Sequence, residues 1–120
     1  MSKSNSIVYG KAKMFALRVI KLYQHLTKTK KEFVLSKQLL RSGTSIGANI
    51  IEALNGQSKK DFIAKMHIAL KEAAESEYWL ELLHEAGYIN DAEHKSISTD
   101  CSEINKLLIS LIKSAKTVDS

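Results

Sequence analysis

The sequence predicts an all-α protein, an antiparallel up-down-up-down four-helix bundle. Three observations lead there. The 120 residues contain no proline and only five glycines, so long stretches are free of helix breakers. Apolar residues recur at spacings of three and four in four separate stretches, the periodicity of helices with a buried face. Turns of about three to eight residues separate these stretches, and such short connections make successive helices antiparallel neighbours.

The first helix should run over residues 7–27, after a polar, frayed start. Ala12, Phe15, Val19, Leu22 and Leu26 form its seam, while Met14, Leu17, Ile20 and Tyr23 widen the apolar surface beyond one seam. A helix apolar on more than one side is central or shared with another subunit. Lys28, Thr29, Lys30, Lys31 and Glu32 form the first turn. They are either a solvated loop or a phosphate-contacting cluster with the nearby Lys37 and Arg41.

The second helix should span residues 33–55, with Gly56 as its stop. Its apolar face is Leu35, Leu39, Ile46, Ile50 and Leu54. Between them Ser42, Gly43, Thr44, Ser45, Gly47 and Ala48 are all small, at a cost of about 2 kcal/mol in helix propensity relative to alanine. Close approach of another backbone explains them best. Arg41, Asn49 and Glu52 are the notable polar groups. Asn49 and Glu52, three apart, can touch, and with Arg41 or a partner on another helix they read as a polar core network fixing register.

Ser58 caps the third helix, with Asp61 in capping-box position, and the helix should reach residue 86. It buries Phe62, Met66, Ala69, Ala73, Leu80 and Leu83. Glu72, Glu75, Glu77, Glu81 and Glu85 make a negative strip, and Arg18 or Lys21 are the candidates to face Glu81 and Glu85. Tyr78 and Trp79 are adjacent, so one should be core and the other near an interface. Gly87 supplies a left-handed stop, and Ile89 its apolar contact. Asn90 or Asp91 caps the fourth helix. Its seam, Ile97, Cys101, Ile104, Leu108, Leu111 and Ala115, is the cleanest heptad in the chain. Residues 117–120 should fray.

The stretches QLLRSGTSIGANIIEA and SKKDFIAKMHIALKEAAESEYWLELLHEAGYI carry a family resemblance. They resemble the four-helix-bundle proteins encoded in intervening sequences of bacterial 23S ribosomal RNA genes, over roughly residues 11–115. Ala53-Leu54, Lys71-Glu72, Ser76 and Gly47 depart from that family's usual pattern. The resemblance implies a ring-shaped homo-oligomer, a pentamer. It extends to the accessory proteins of diversity-generating retroelements, which are thought to bind nucleic acid together with a reverse transcriptase.

Charge narrows the function classes. Residues 1–60 hold 12 Lys and Arg against 2 acids, and residues 61–120 hold 6 against 11. The basic half either meets the acidic half, within or between subunits, or faces a polyanion. The candidate nucleic-acid contacts are Lys11, Lys13, Arg18, Lys21, Lys28, Lys30, Lys31, Lys37, Arg41, Lys59 and Lys60. No base-reading motif accompanies them, so such a surface would read phosphate and shape, structured RNA above all. The competing expectation is a protein-interaction or scaffold ring.

Catalysis and cofactors find no support. Cys101 lies on a core seam, the four histidines are scattered, and no glycine-rich phosphate loop is present. A di-metal carboxylate site needs Glu-x-x-His on two helices. Glu81 with His84 fits, Asp91 with His94 fits loosely, and the first helix has no acid to add, so no metal is expected. A single cysteine and the lack of a membrane-length apolar run point to one cytoplasmic domain.

Overall fold

Each helix begins where a side chain can satisfy free backbone N–H groups and ends where the chain can turn. In the computed structural model, which describes residues 2–117, α1 is Lys3–Lys28, α2 Leu35–Leu54, α3 Lys59–Glu85 and α4 Asp91–Thr117. Successive helices pack side by side, and α4 closes back on α1, giving the up-down-up-down bundle, about 50 by 22 by 19 Å. Met1 and residues 118–120, where fraying was expected, lie outside the described residues.

The start of α1 corrects the sequence expectation. The helix begins four residues before Ile7, because the Ser2 hydroxyl accepts the Asn5 N–H at 3.1 Å and caps it. Its seam holds Val8, Ala12, Phe15, Val19 and Leu26, all buried, with Leu22 packed against them.

The start of α2 also differs. Phe33 and Val34 stay outside the helix, and the cap comes from Glu32. Its carboxylate accepts N–H bonds from Val34 at 3.0 Å, Leu35 at 2.9 Å and Ser36 at 2.7 Å. The Ser36 hydroxyl donates back to the Glu32 carbonyl at 2.9 Å. Lys31 turns the chain in the left-handed region, φ 57°. Burial pushes the Glu32 carboxyl upward, but the bonds from Leu35, Ser36 and Val34 outweigh it and hold the group below its ordinary value.

Two of the small residues of α2 have distinct reasons. A Cβ on Gly43 would sit 2.9 Å from Val19 Cγ2, so α1 and α2 touch there through glycine alone. Ser42 faces α3, where its hydroxyl lies 2.8 Å from that of Ser76, which donates to the Glu72 carbonyl at 2.9 Å. Gly47 has only Ala12 Cβ at 3.8 Å, in a shallow groove between α1 and α2. Gly56 is not a left-handed stop; α2 ends at Asn55, and Gly56 is small because Ala53 O and Asp61 Cβ crowd it.

The later caps follow the sequence reading. Ser58 Oγ accepts the Asp61 N–H at 3.1 Å. Gly87, at φ 86°, completes a Schellman turn in which Gly87 N donates to His84 O and Tyr88 N to Leu83 O, and Ile89 is buried. Asn90 and Glu93 exchange side-chain-to-backbone bonds of 2.8 Å each, a full capping box, so Asn90 is the cap. The seam of α4 ends on Ile112, with Leu111 only half-buried, because a straight helix of 3.6 residues per turn drifts off a strict heptad.

Candidate nucleic-acid interface

The eleven candidate cations fall into two groups once their partners are known. Lys11 pairs with Glu103 at 2.6 Å and Arg18 with Asp100 at 2.6 Å, both tying α1 to α4. Arg18 also donates to the Ser96 hydroxyl at 2.9 Å. Arg41 reaches across to α3, at 3.1 Å from Glu72 and 2.8 Å from Glu75. Lys59 is not free either. Lys13, Lys21, Lys28, Lys30, Lys31, Lys37 and Lys60 are exposed and make no ion pair among the described residues.

Six of these seven lie between residues 13 and 37, on α1, the first turn and the start of α2. Lys21 and Lys28, seven residues apart, stand two turns from each other on one face of α1. Within residues 28–37 the single acid, Glu32, is folded inward onto the backbone and leaves the surface field to Lys28, Lys30, Lys31 and Lys37. Lys60 belongs to the opposite end of the bundle.

The acidic strip of α3 is largely not the partner of these lysines. Arg41 meets it from the basic half, at Glu72 and Glu75. Arg18 turns to α4 instead, Lys21 projects to solvent, and Glu81 and Glu85 make no ion pair among the described residues. Glu77 accepts from Asn105 Nδ2. Tyr78 is exposed and Trp79 half-buried against the core. The buried Trp79 Nε1 and Asn105 Oδ1 have no hydrogen-bond partner among the described residues.

The three residues expected to share a polar core network do not form one. Arg41 bonds to α3, Asn49 Nδ2 donates to the Ser45 carbonyl at 2.8 Å, and Glu52 is exposed beside Lys65 at 3.6 Å. The buried polar contact between α2 and α3 is Ser42 with Ser76, flanked by Glu72. Their signal was the small serine itself in the middle of each apolar face.

A family model for the 23S rRNA-intervening sequence protein matches residues 4–110. The chain belongs to that family. A crystal structure at 1.70 Å of a protein with unknown function from the S23 ribosomal protein family, from Bacteroides thetaiotaomicron, is similar to it. The two are 57% identical over 92% of this chain and 98% of that one, with a TM-score of 0.91. No curated protein matches the chain.

In this family member His84, His94 and Cys101 sit in structural contacts. His84 Nε2 lies 2.6 Å from Asp91 Oδ1, and the His84 and His94 rings stack at 4.3 Å, 5° from parallel. Stacked rings hold their nitrogens in separate planes, so both cannot aim at one ion. Among the described residues no three His, Cys, Asp or Glu side chains are placed to hold a metal. Cys101 is buried, its thiol donating to the Ala73 carbonyl at 3.3 Å. Burial above all, with Glu77 and Asp100 adding, pushes that thiol up to about 12, so a reactive thiolate is suppressed. Among the described residues no helix is long and apolar enough to cross a membrane.

Proposed function

We propose that this bundle is a non-enzymatic, cytoplasmic nucleic-acid-binding protein that engages phosphates, structured RNA above all, through α1, the first turn and the start of α2. One observation carries the reading: the six exposed lysines from Lys13 to Lys37 have no acidic partner among the described residues, while the acids of α3 and α4 are engaged elsewhere or lie apart. Unpaired cations on one half of a protein create a field that attracts an external polyanion. Helical presentation without base-reading side chains favours recognition by charge and shape.

The same reading includes self-association. Ile7, Met14 and Leu17 on α1 and Ile109 on α4 are exposed, more apolar surface than a lone bundle requires. A ring of five is the assembly the family resemblance implies, and repetition of the lysine patch around it would multiply weak phosphate contacts. Sedimentation should show an oligomer that Leu17→Lys splits. The alternative, a protein-interaction or scaffold ring, draws on the exposed Glu81 and Glu85, which could meet a neighbour's lysines.

The deciding experiment is fluorescence anisotropy with labelled structured RNA and duplex DNA across a salt series. Binding that weakens steeply with salt is expected, since each phosphate contact contributes roughly 0.7 to 0.9 to the logarithmic slope. No binding at about 50 mM salt with micromolar protein would overturn the reading and favour the scaffold.

A further inference from the structure

The first turn presents apolar surface that the bundle does not use. Phe33 is 59% exposed and Val34 71%, although the core lies one residue further on at Leu35 and Ser36. The turn holds them there firmly. Glu32 N donates to Leu26 O at 2.9 Å, and Thr29 N to His25 O at 2.9 Å. The Glu32 carboxylate fixes the three N–H groups that follow Phe33. Backbone is therefore pinned on both sides of the ring, and a preordered backbone loses little freedom when something covers it.

The surroundings of the ring specify what that is. Lys28, Lys30, Lys31 and Lys37 flank it in sequence, all exposed and without an ion pair among the described residues. The one acid of the segment is sequestered in the helix cap. A flat aromatic face among unpaired cations matches a base face among phosphates: stacking serves the base and the lysines serve the backbone. A protein partner with an acidic rim would satisfy the lysines as well, but within residues 28–37 the cap has withdrawn the one acid able to pair a basic residue of such a partner.

We infer that Phe33 is a stacking platform for an unpaired base, with Lys28, Lys30, Lys31 and Lys37 on the adjoining phosphates. The inference rests on the nucleic-acid reading above and sharpens it. The ligand class becomes single-stranded or looped nucleic acid, because a duplex keeps its base faces inside its own stack. Val34, the next residue, adds exposed apolar surface to the same turn.

The test compares anisotropy of the full chain with labelled oligouridine RNA and with an RNA duplex of equal length. Wild type should bind the single strand more tightly. Phe33→Ala should weaken that complex roughly 5- to 160-fold, the worth of one stacked base, and leave duplex affinity and salt slope unchanged. Phe33→Trp should restore it. Lys30→Gln with Lys31→Gln should instead lower the slope by about 1.4. Phe33 is exposed, so its variants should keep the wild-type circular dichroism and melting. If the wild type binds RNA but Phe33→Ala behaves identically, or weakens both probes alike, the platform is refuted while the nucleic-acid reading stands. If Phe33→Ala shifts only the sedimentation coefficient, the ring is a protein contact and the platform is again refuted. If neither probe binds wild type, both readings fail together.

Discussion

Gly43 and Gly47 sit four residues apart in one helix, yet alanine should have opposite effects at the two. At Gly43 the new Cβ would lie 2.9, 3.1 and 3.3 Å from Val19 Cγ2, Cγ1 and Cβ. Carbon atoms prefer roughly 3.5–4.0 Å. Val19 is fully buried and β-branched, with essentially one rotamer open to it in a helix, so it cannot swing aside. The helices must part, and overpacking of this kind costs about 1–3 kcal/mol. Alanine recovers about 1 kcal/mol of helix propensity, leaving a net loss of about 0–2 kcal/mol. At Gly47 the nearest atom is Ala12 Cβ at 3.8 Å, an ordinary contact, so alanine should add about 0.5–1 kcal/mol. Gly10 has nothing within 4 Å and should behave like Gly47. Urea midpoints at one fixed protein concentration give the comparison, because self-association would otherwise shift them. In a Val19→Ala background the 2.9 and 3.1 Å methyl clashes disappear and only the 3.3 Å Cβ contact remains, so Gly43→Ala should cost less there than in the wild type. If Gly43→Ala raises the midpoint as much as Gly47→Ala does, close helix approach is not why this segment is small.

Glu32→Gln should cost about 1–2 kcal/mol, since an amide cannot offer two accepting oxygens to three N–H groups. The carboxyl is held below its ordinary value, so its contribution is fully present above the usual carboxylate range and is lost as pH falls through the lower folded value; the variant's acid unfolding curve should lack that increment. Cys101 should resist iodoacetamide in the folded protein at pH 8 and react only at the rate of opening, measured by mass spectrometry across a urea series; alkylation at the rate of a free thiol would contradict its burial. Ser76→Ala should cost about 1 kcal/mol, and adding Ser42→Ala should cost less than its separate effect, because the second hydroxyl loses its partner only once. Chemical denaturation of the double-mutant cycle reads this coupling directly.

Local chemistry made the four helices legible in advance. Ser58, the cap at Asn90 or Asp91 and the Gly87–Ile89 stop each act within a few residues, so sequence neighbours suffice to read them; the exchange with Glu93 that decides for Asn90 came from the structure. Glu32 escaped because it caps forward, over Phe33 and Val34, to a helix that has no Ser, Thr, Asp or Asn at its threshold. The absence of a conventional cap before Leu35, with an acid three residues upstream, was the signal available. Arg41, Asn49 and Glu52 misled because spacing along one helix gives angle, not partner; the acids that Arg41 meets are more than thirty residues away. The exposure of Phe33 was hidden for the same reason as the cap. Once the helix begins at Leu35 rather than Phe33, the ring leaves the apolar face and enters solvent.

The joints of the bundle are not alike, and this sets the order in which the molecule comes apart. The contact of α2 with α3 is the most extensive, and that of α1 with α4 the least. Both joints carry partly exposed ion pairs, Lys11 with Glu103 and Arg18 with Asp100 on the latter and Arg41 with Glu75 and Lys65 with Glu52 on the former, but the α1–α4 joint has the least packing behind them and lies beside an open groove lined by Ile7, Gly10 and Met14. Ions weaken such clasps and leave apolar packing untouched. Rising salt should therefore speed hydrogen exchange along α1 and α4 while the α2–α3 hairpin keeps its protection. Closing the α1–α4 seam joins the segments most distant in sequence, so in folding it comes last, on a hairpin already built from near neighbours.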